Sequence, residues 1–196
     1  TPLYSSAASD VYKRQEFARA AEGILGCSFP KEKTYGTEIG PQPDGTVMVC
    51  YGGDGTLLEG VHRLDGRELP VIGVNSGHLG FLAMAPKENI ESIFDEIAAG
   101  NLKLERRSML EISGIPGIGK QSLHALNESA VQRLGATMIS INTYVDGQMT
   151  ATYNGNGVII STPTGSTAYS LSAGGPIITP ACNCLAISPL SAHNLA

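Results

Sequence analysis

The sequence predicts an α/β N-terminal domain with a parallel sheet, followed by a β-rich C-terminal domain. Up to about residue 100, short apolar runs alternate with glycine turns and helical patterns, and beyond it strand-type alternation takes over. The 196 residues are 42% apolar and 16% charged, which suffices for two small domains with packed cores. We expect the α/β domain over 16–100 and the β-rich domain over 101–196.

The first 45 residues carry the weakest pattern. Residues 1–15 fit no periodic template, so we interpret them as non-native or disordered and leave them out of the predicted fold. A short helix is predicted from Glu16, because apolar residues recur at helical spacing up to Leu25 before Gly26. Residues 27–45 are rich in glycine and proline and are predicted to form a loop.

A βαβ unit follows. Residues 47–50 are continuously apolar, as in a strand buried on both faces, and the run 52–56 (Gly-Gly-Asp-Gly-Thr) comes directly after them. A helical pattern over 57–64 and a second apolar run at 71–74 complete a parallel unit, for which a right-handed crossover is expected. Pro86 is predicted to open another helix that ends at Gly100.

The second half of the sequence has patterns typical of β-strands. Apolar and polar residues alternate over 138–145, and Asp146-Gly147 then predicts a two-residue hairpin turn. Residues 158–160 (Val-Ile-Ile) predict another buried strand.

Charge and cysteine content exclude several classes of function. The net charge of −5 disfavours a nucleic-acid partner, and no apolar run approaches the roughly 18 residues of a membrane span. The four cysteines and four histidines show no metal-ligand spacing, so neither a metal site nor a disulfide framework is predicted. With no export signal in view, we expect a cytoplasmic protein with buried or incidental thiols.

The strongest functional signal is the run 52–56. Glycines let a ligand approach the backbone, and the N–H groups at a helix start favour phosphate. Asp54 would repel phosphate, so it needs another task, such as accepting a hydroxyl proton during phosphoryl transfer or helping to hold a cation. The plain alternative is a tight turn in which Asp54 caps the helix.

Three further stretches carry polar groups beside predicted strands. Residues 162–176 combine hydroxyls, glycines and Tyr169, a combination suited to phosphates, sugars and a flat base, although a plain Ser/Thr-rich loop is the alternative. Asn127-Glu128 offers a donor and acceptors for sugar hydroxyls, or simple surface polarity. Residues 75–82 predict a turn at the carboxyl end of the sheet, where open α/β folds bind ligands.

Together these blocks resemble the NAD kinase family, whose members phosphorylate the adenosine ribose 2′-hydroxyl of NAD. The matching blocks are 52–56, 73–82, 125–128 and 157–176, in that order, and the resemblance runs from about residue 45 to the C-terminus. The first block is shared with lipid kinases and phosphofructokinases. The Thr-Pro-Thr-Gly-Ser-Thr-Ala-Tyr run at 162–169 is specific to NAD kinases.

The resemblance implies a site and its substrates. Asp54 would take the 2′-hydroxyl proton, with Gly55 beside the substrate, and Tyr169 would stack on a ring. The remaining contacts with the dinucleotide would come from Asn127, Glu128, Asn154, Asn156, Thr167, Ala168, Ser170, Leu171 and Ser172. The donor would be ATP with a divalent metal, Mg²⁺ being expected, or polyphosphate. Family members are usually homodimers or homotetramers.

The sequence departs from the family pattern at three points. Asn156 stands where the family usually has Asp, and Ala192 stands where it usually has Pro. Family members continue beyond the point where this chain stops, and their opening strand is missing or replaced here. We therefore expect a fragment with little or no activity. Two alternatives stay open: another kinase with this glycine motif, acting on a lipid or a sugar phosphate, and a non-catalytic dinucleotide-binding module.

Overall fold

The computed structural model describes residues 3–6, 46–77, 80–83, 85–101, 103–117 and 123–193. The chain divides into two compact units, Thr1–Glu105 and Arg106–Ala196. The helix predicted from Glu16 lies outside the described residues, as do Cys27 and His78.

The first unit is built on a four-stranded parallel sheet. Its strands lie side by side in chain order: β1 (Leu3–Ser6), β2 (Val47–Gly52), β3 (Val71–Asn75) and β4 (Ala85–Pro86). Helix α1 (Asp54–Leu64) connects β2 to β3, and α2 (Ile90–Ala99) follows β4. The predicted parallel βαβ unit is confirmed.

Strand β1 differs from the sequence expectation, which assigned no element to residues 1–15. Leu3–Ser6 pair with residues 47–50 of β2 at the edge of the sheet. An edge strand is joined to its neighbour by backbone hydrogen bonds, so an apolar pattern is not needed to form one.

Both faces of the sheet are covered, which explains the continuous apolar runs in its central strands. Cys50 pairs with Gly73 in register, and a Cβ on Gly73 would lie 2.8 Å from Leu57 Cδ1, so α1 covers this face. Tyr51 and Val74 pair on the opposite face, where they form a buried cluster with Phe94 of α2.

The start of α2 differs from the prediction. Pro86 pairs with Asn75 as the last residue of β4, a 3₁₀ turn follows at Lys87–Asn89, and the helix begins only at Ile90. The pairing with β3 keeps Pro86 extended, which a local helix-start signal does not reveal. The predicted end is confirmed, because Gly100 adopts a left-handed conformation with φ of 72°.

Most of the regular elements of the second unit are antiparallel strands. A three-stranded sheet has β10 (Gly157–Ser161) at its centre, flanked by β7 (Glu128–Gln132) and β11 (Ala186–Leu190). Two further pairs are β5 (Leu110–Ile112) with β6 (Leu123–Ala125), and β8 (Ile139–Val145) with β9 (Gln148–Gly155). The predicted β-rich second half is confirmed.

Two local predictions in this unit hold. Asp146 and Gly147 have φ of 51° and 78°, so both central residues of the β8–β9 turn are left-handed, as a two-residue hairpin requires. Val158 and Ile159 of β10 are fully buried. A 3₁₀ turn at Thr164–Thr167 and the short helix α3 (Tyr169–Ser172) come after β10.

Two observations concern the surface and the thiols. No helix among the described residues has the length and apolar character that crossing a bilayer would require. Cys50 is buried, whereas Cys182 and Cys184 are exposed, and all three are free thiols.

Candidate functional site

Asp54 lies at the start of α1, directly beyond the carboxyl end of β2. Its carboxylate accepts three backbone hydrogen bonds from the segment that follows β3. The Phe81 N–H donates to Oδ2 at 2.8 Å, and the N–H groups of Leu82 and Ala83 donate to Oδ1 at 2.9 Å each. The N-cap of α1 is Gly53, with no side-chain capping bond, so the alternative in which Asp54 caps its own helix is wrong.

These hydrogen bonds also set the protonation state of Asp54. Burial by itself raises the pKa of this carboxyl, but the backbone hydrogen bonds from Ala83, Leu82 and Phe81 together outweigh burial and lower the pKa below its ordinary value. Asp54 is therefore ionised throughout the neutral range. It can accept a hydrogen bond from a substrate hydroxyl without first losing a proton.

The glycines around Asp54 fall into two groups. A Cβ on Gly80 would lie 2.2 Å from Asp54 Oδ1, and one on Gly52 would lie 2.2 Å from Thr56 Oγ1, so packing within the unit requires both. Gly53 and Gly55 have open space where a Cβ would stand. None of the described residues of this unit explains these two glycines, whereas close approach of a ligand to the backbone would.

In the second unit, Thr162 joins two of the predicted motifs. Its N–H donates to the Asn127 carbonyl at 2.9 Å, and its hydroxyl donates to the Leu126 carbonyl at 2.6 Å. The same hydroxyl accepts the Gly165 N–H at 3.0 Å. Gly165 packs so closely on this segment that a Cβ there would lie 2.0 Å from the Asn127 carbonyl oxygen. The two motifs therefore form one structural piece.

Asn127 and Glu128 each have a side-chain oxygen with no hydrogen-bond partner in the described part of the chain. Asn127 Oδ1 and Glu128 Oε2 are buried and accept no hydrogen bond from the described residues. Burial raises the pKa of Glu128, and a hydrogen bond from the Tyr169 backbone N–H offsets this only in part. Both oxygens would be satisfied by donors on a bound molecule, such as hydroxyl or amino groups.

Tyr169 lies along β7 and keeps an exposed ring. Its hydroxyl accepts a hydrogen bond from Gln132 Nε2 at 3.0 Å, and the residue is 42% exposed. A depression of about 370 Å³ is lined by Tyr169, Gln132, Arg133 and Asn156, among others. Arg133 Nε donates to Asn156 Oδ1 at 2.7 Å, and this bond fixes the orientation of the Asn156 amide. Neither Gln132 nor Arg133 was singled out from the sequence pattern.

Several predicted contact residues lie in the segment that contains α3. Thr167 and Ala168 are half-buried, and Leu171 and Ser172 are exposed. Ser170 is fully buried, and its hydroxyl lies 3.0 Å from that of Ser188. The hydroxyls of buried Thr162 and Ser166 likewise bond to backbone atoms. Much of the polarity of this stretch therefore holds the segment itself in place.

The structure thus brings some predicted residues together within each unit. Asn127, Glu128 and Tyr169 are joined in the second unit, and Tyr169 shares a depression with Asn156. Asn154 is an exposed residue of β9 whose carbonyl accepts the His193 N–H at 2.8 Å. The direct contacts between Asp54 and 81–83 were not predicted, and Gly80 was the only local signal of such close packing. Phe81, an aromatic residue that is 66% exposed, was also missed.

Metal-ligating side chains do not gather in the part of the chain that the structure describes. No three His, Cys, Asp or Glu residues there lie close enough together to hold a metal ion. Three of the acceptor positions of Asp54 are already taken by backbone N–H groups.

Two protein-family models match the chain. Residues 33–102 match the ATP-NAD kinase N-terminal domain, and residues 126–196 match the ATP-NAD kinase C-terminal domain.

Curated relatives point the same way. The chain is 40% identical over 173 residues to a protein named NAD kinase from Cytophaga hutchinsonii, covering 88% of this chain and 58% of that protein. It is 46% identical to an NAD kinase from Christiangramia forsetii, covering 76% of this chain and 52% of that protein. The chain spans about half the length of the curated relatives it matches.

Solved structures share the fold. Yeast NADH kinase, crystallised with NADH, superposes with a TM-score of 0.84 at 24% identity, covering 100% of this chain and 67% of that one. An NAD kinase from Archaeoglobus fulgidus in complex with ATP gives a TM-score of 0.70 at 25% identity, covering 100% of this chain and 73% of that one.

We expect Gly165→Ala to destabilise the protein by about 1–3 kcal/mol, because its Cβ would overlap the Asn127 carbonyl and force the two motifs apart. Urea unfolding would measure the change. Gly135→Ala is the matched control, since nothing lies within 4 Å of a Cβ there. Equal stability of the Gly165 variant and the parent would contradict the close packing.

We expect Glu128→Gln to stabilise the ligand-free protein at neutral pH. A carboxyl whose folded pKa is raised contributes stability that is fully present below its unfolded pKa, about 4.3, and is lost as the pH rises through the folded pKa. Melting temperatures of parent and variant should therefore agree near pH 4 and separate above it. Glu111→Gln, at an exposed position of β5, is the control. A difference that does not change with pH would refute the effect.

Proposed function

Since the chain belongs to the NAD kinase family, we propose that the protein transfers the γ-phosphoryl group of ATP to the adenosine ribose 2′-hydroxyl of NAD, giving NADP. The observation that carries this proposal is the ionised Asp54 carboxylate, held by three backbone N–H groups beside two glycines with open space. A fixed acceptor at a glycine-lined helix start suits an alcohol that must attack a phosphate.

The proposed step needs little from the protein beyond orientation. The ribose oxygen forms a bond to the γ-phosphorus, and the bond from that phosphorus to the bridging oxygen breaks, leaving the electron pair on ADP. The hydroxyl proton passes to Asp54. A carboxylate with a lowered pKa is a weak base, which is sufficient if the transition state is loose and the proton moves late.

The second unit supplies the groups we assign to dinucleotide binding. The unpartnered oxygens of Asn127 and Glu128 support this assignment, because a ligand offering donors would remove the cost of burying them. The exposed ring of Tyr169 offers a face for stacking. We propose further contacts from the accessible parts of Thr167, Ala168, Leu171 and Ser172, from the peptide backbone at Ser170, and from Asn154 and Asn156.

ATP is the proposed donor, with polyphosphate as the alternative. Mg²⁺ would enter with the donor, since it commonly binds through substrate phosphates and one or two carboxylates. The described residues offer no carboxylate cluster for a separate metal centre, so we assign the ion to the substrate.

Assembly and location belong to the proposal as well. A homodimer or homotetramer would cover apolar side chains that the β8–β9 hairpin exposes, including Tyr144, Val145 and Met149, each more than half exposed. A cytoplasmic location stays a prediction based on the cysteine pattern.

The two alternatives predict different chemistry. A lipid or sugar-phosphate kinase would have no use for the joined Asn127 and Thr162 motifs, which lie in the region that matches the ATP-NAD kinase C-terminal domain. A non-catalytic module would bind NAD without producing NADP. Assays of the protein as its gene encodes it, with ATP and either NAD, a lipid or a sugar phosphate as acceptor, together with a titration of NAD binding, distinguish all three.

We expect Asp54→Asn to lower the rate of NADP formation by about 10²–10⁴-fold, the usual contribution of a general base. Calorimetric titration should show NAD binding within a few fold of the parent, because Asp54 would contribute one hydrogen bond, to the ribose hydroxyl, whereas most of the proposed dinucleotide contacts lie in the second unit. Circular dichroism would confirm that the variant is folded.

Substantial turnover by a folded Asp54→Asn variant would contradict the proposed role of the carboxylate. A parent protein that binds NAD but forms no NADP would favour the non-catalytic module.

We expect Gly55→Ala to lower NADP formation strongly while leaving stability equal or higher. Alanine is better than glycine within a helix by about 1 kcal/mol, and no atom of the described residues lies within 4 Å of the new methyl group. The loss would come from an obstructed approach of the ligand to the backbone. Thermal unfolding and initial rates give the two measurements.

The control for Gly55→Ala is Glu59→Ala, an exposed position on the same helix whose ion pair with Arg63 is a surface pair. It should retain parental activity. A Gly55→Ala variant with full activity would show that the open space at Gly55 is not used by a ligand.

A further inference from the structure

Asn75 is a buried polar residue at the carboxyl end of β3, paired in register with Gly52. The residue is only 5% exposed. Its Nδ2 donates to the Ala83 carbonyl at 3.2 Å, and its Oδ1 accepts the Gly77 N–H at 2.7 Å. The side chain thereby joins the two ends of the segment that runs from β3 back towards Asp54.

Ala83 is hydrogen-bonded both to Asn75 and to Asp54. The Ala83 carbonyl accepts from Asn75, and the Ala83 N–H donates to Asp54 Oδ1. Ala83 is fully buried against β3, since a Cβ on Gly73 would lie 2.8 Å from its Cα. The position of this residue therefore determines where one oxygen of the carboxylate is held.

The two oxygens of Asp54 are not equivalent. A carboxylate oxygen has two lone-pair positions. Oδ1 accepts two N–H groups, from Leu82 and Ala83, whereas Oδ2 accepts one, from Phe81. Among the described residues, the acceptor position that stays open is on Oδ2.

We propose that Asn75 is a positioning residue that fixes the Ala83 backbone, keeps Oδ1 of Asp54 occupied, and so makes Oδ2 the atom that accepts the substrate hydroxyl. The assignment of a hydroxyl as the substrate group rests on the function proposed above. The positioning of Asp54 by Asn75 is a property of the ligand-free unit and can be tested without turnover.

The first test is an NMR measurement on the ligand-free protein as its gene encodes it. Amide protons bonded to a carboxylate resonate downfield and exchange slowly with solvent, so those of Phe81, Leu82 and Ala83 report directly on the contacts. In Asn75→Ala we expect the Leu82 and Ala83 signals to move upfield and their exchange to accelerate by about tenfold or more.

Thr46→Ala is the matched control. Thr46 is a polar residue that is 2% exposed, and it immediately precedes β2, at the opposite end of that strand from Asp54. Its substitution should lower stability in the way that loss of a buried polar side chain does, without moving the three amide signals. A general loss of packing is thereby separated from a loss of positioning.

Asn75→Asp provides a second, nearly isosteric variant in case Asn75→Ala does not fold. When its carboxyl is ionised, it keeps an acceptor for the Gly77 N–H but has no donor for the Ala83 carbonyl, so the comparison is made with the ionised form. We expect it to shift the Leu82 and Ala83 amides as Asn75→Ala does, because the bond to Ala83 is the one that matters for Asp54.

The second test is kinetic. Asn75→Ala should lower kcat for NADP formation by about tenfold or more and change the KM for NAD much less, because the residue acts on the reacting carboxylate and not on dinucleotide binding. If the parent forms no NADP, the proposed function fails, while the NMR comparison still decides the positioning. Unchanged Leu82 and Ala83 amides in both Asn75 variants, or equal shifts in Thr46→Ala, would overturn the proposal.

Discussion

The first unit depends on a carboxylate that three successive backbone N–H groups bond. These bonds lower the pKa of the partly buried Asp54 below its ordinary value and hold its carboxylate in place, and the segment 81–83 would lose the acceptor of three backbone N–H groups if the carboxylate were absent. The contact requires glycine at position 80, where any Cβ would meet the carboxylate. The three hydrogen bonds make the Asp54 carboxylate less basic but fix its orientation. A carboxylate so stabilised is a weak proton acceptor, but its oxygens are held in one place.

The second unit shows the opposite electrostatic situation. Glu128 is partly buried, accepts a hydrogen bond from the Tyr169 backbone, and has an oxygen without a partner among the described residues, as does the neighbouring Asn127. Such groups lower the stability of the folded protein when nothing is bound to them. The Thr162 and Gly165 contacts hold the backbone at Asn127 in place, and the side-chain oxygens of Asn127 and Glu128 can still accept hydrogen bonds. A polar ligand would convert this cost into affinity.

The elements that could be predicted are those with a strong local signal in the sequence. Apolar runs predicted the buried strands β2, β3 and β10, and the Asp-Gly pair predicted the β8–β9 turn. Local signals failed where tertiary pairing decided the outcome. Pro86 carries a helix-start signal but lies in β4, where it pairs with Asn75. Strand β1 lacks a periodic apolar pattern, which an edge strand does not need because backbone hydrogen bonds join it to β2. The hydroxyl-rich run at 162–176 was predicted to contact a nucleotide or to be a plain Ser/Thr-rich loop, and the buried hydroxyls of Thr162, Ser166 and Ser170 bond to the protein itself.

The sequence by itself determined the class of the fold, the central βαβ unit, the β8–β9 hairpin and the family, because glycine spacing and hydrophobic runs are local properties that a chain carries wherever it folds. It also identified Asp54, Asn127, Glu128 and Tyr169 as the residues to follow. Only the tertiary structure decided what state these groups are in. The donors to Asp54 come from residues 27 to 29 positions away along the chain. Contacts between residues so far apart in the chain determine how a group is solvated and hydrogen-bonded, and they make the two oxygens of one carboxylate differ. Local residue spacing does not reveal such contacts.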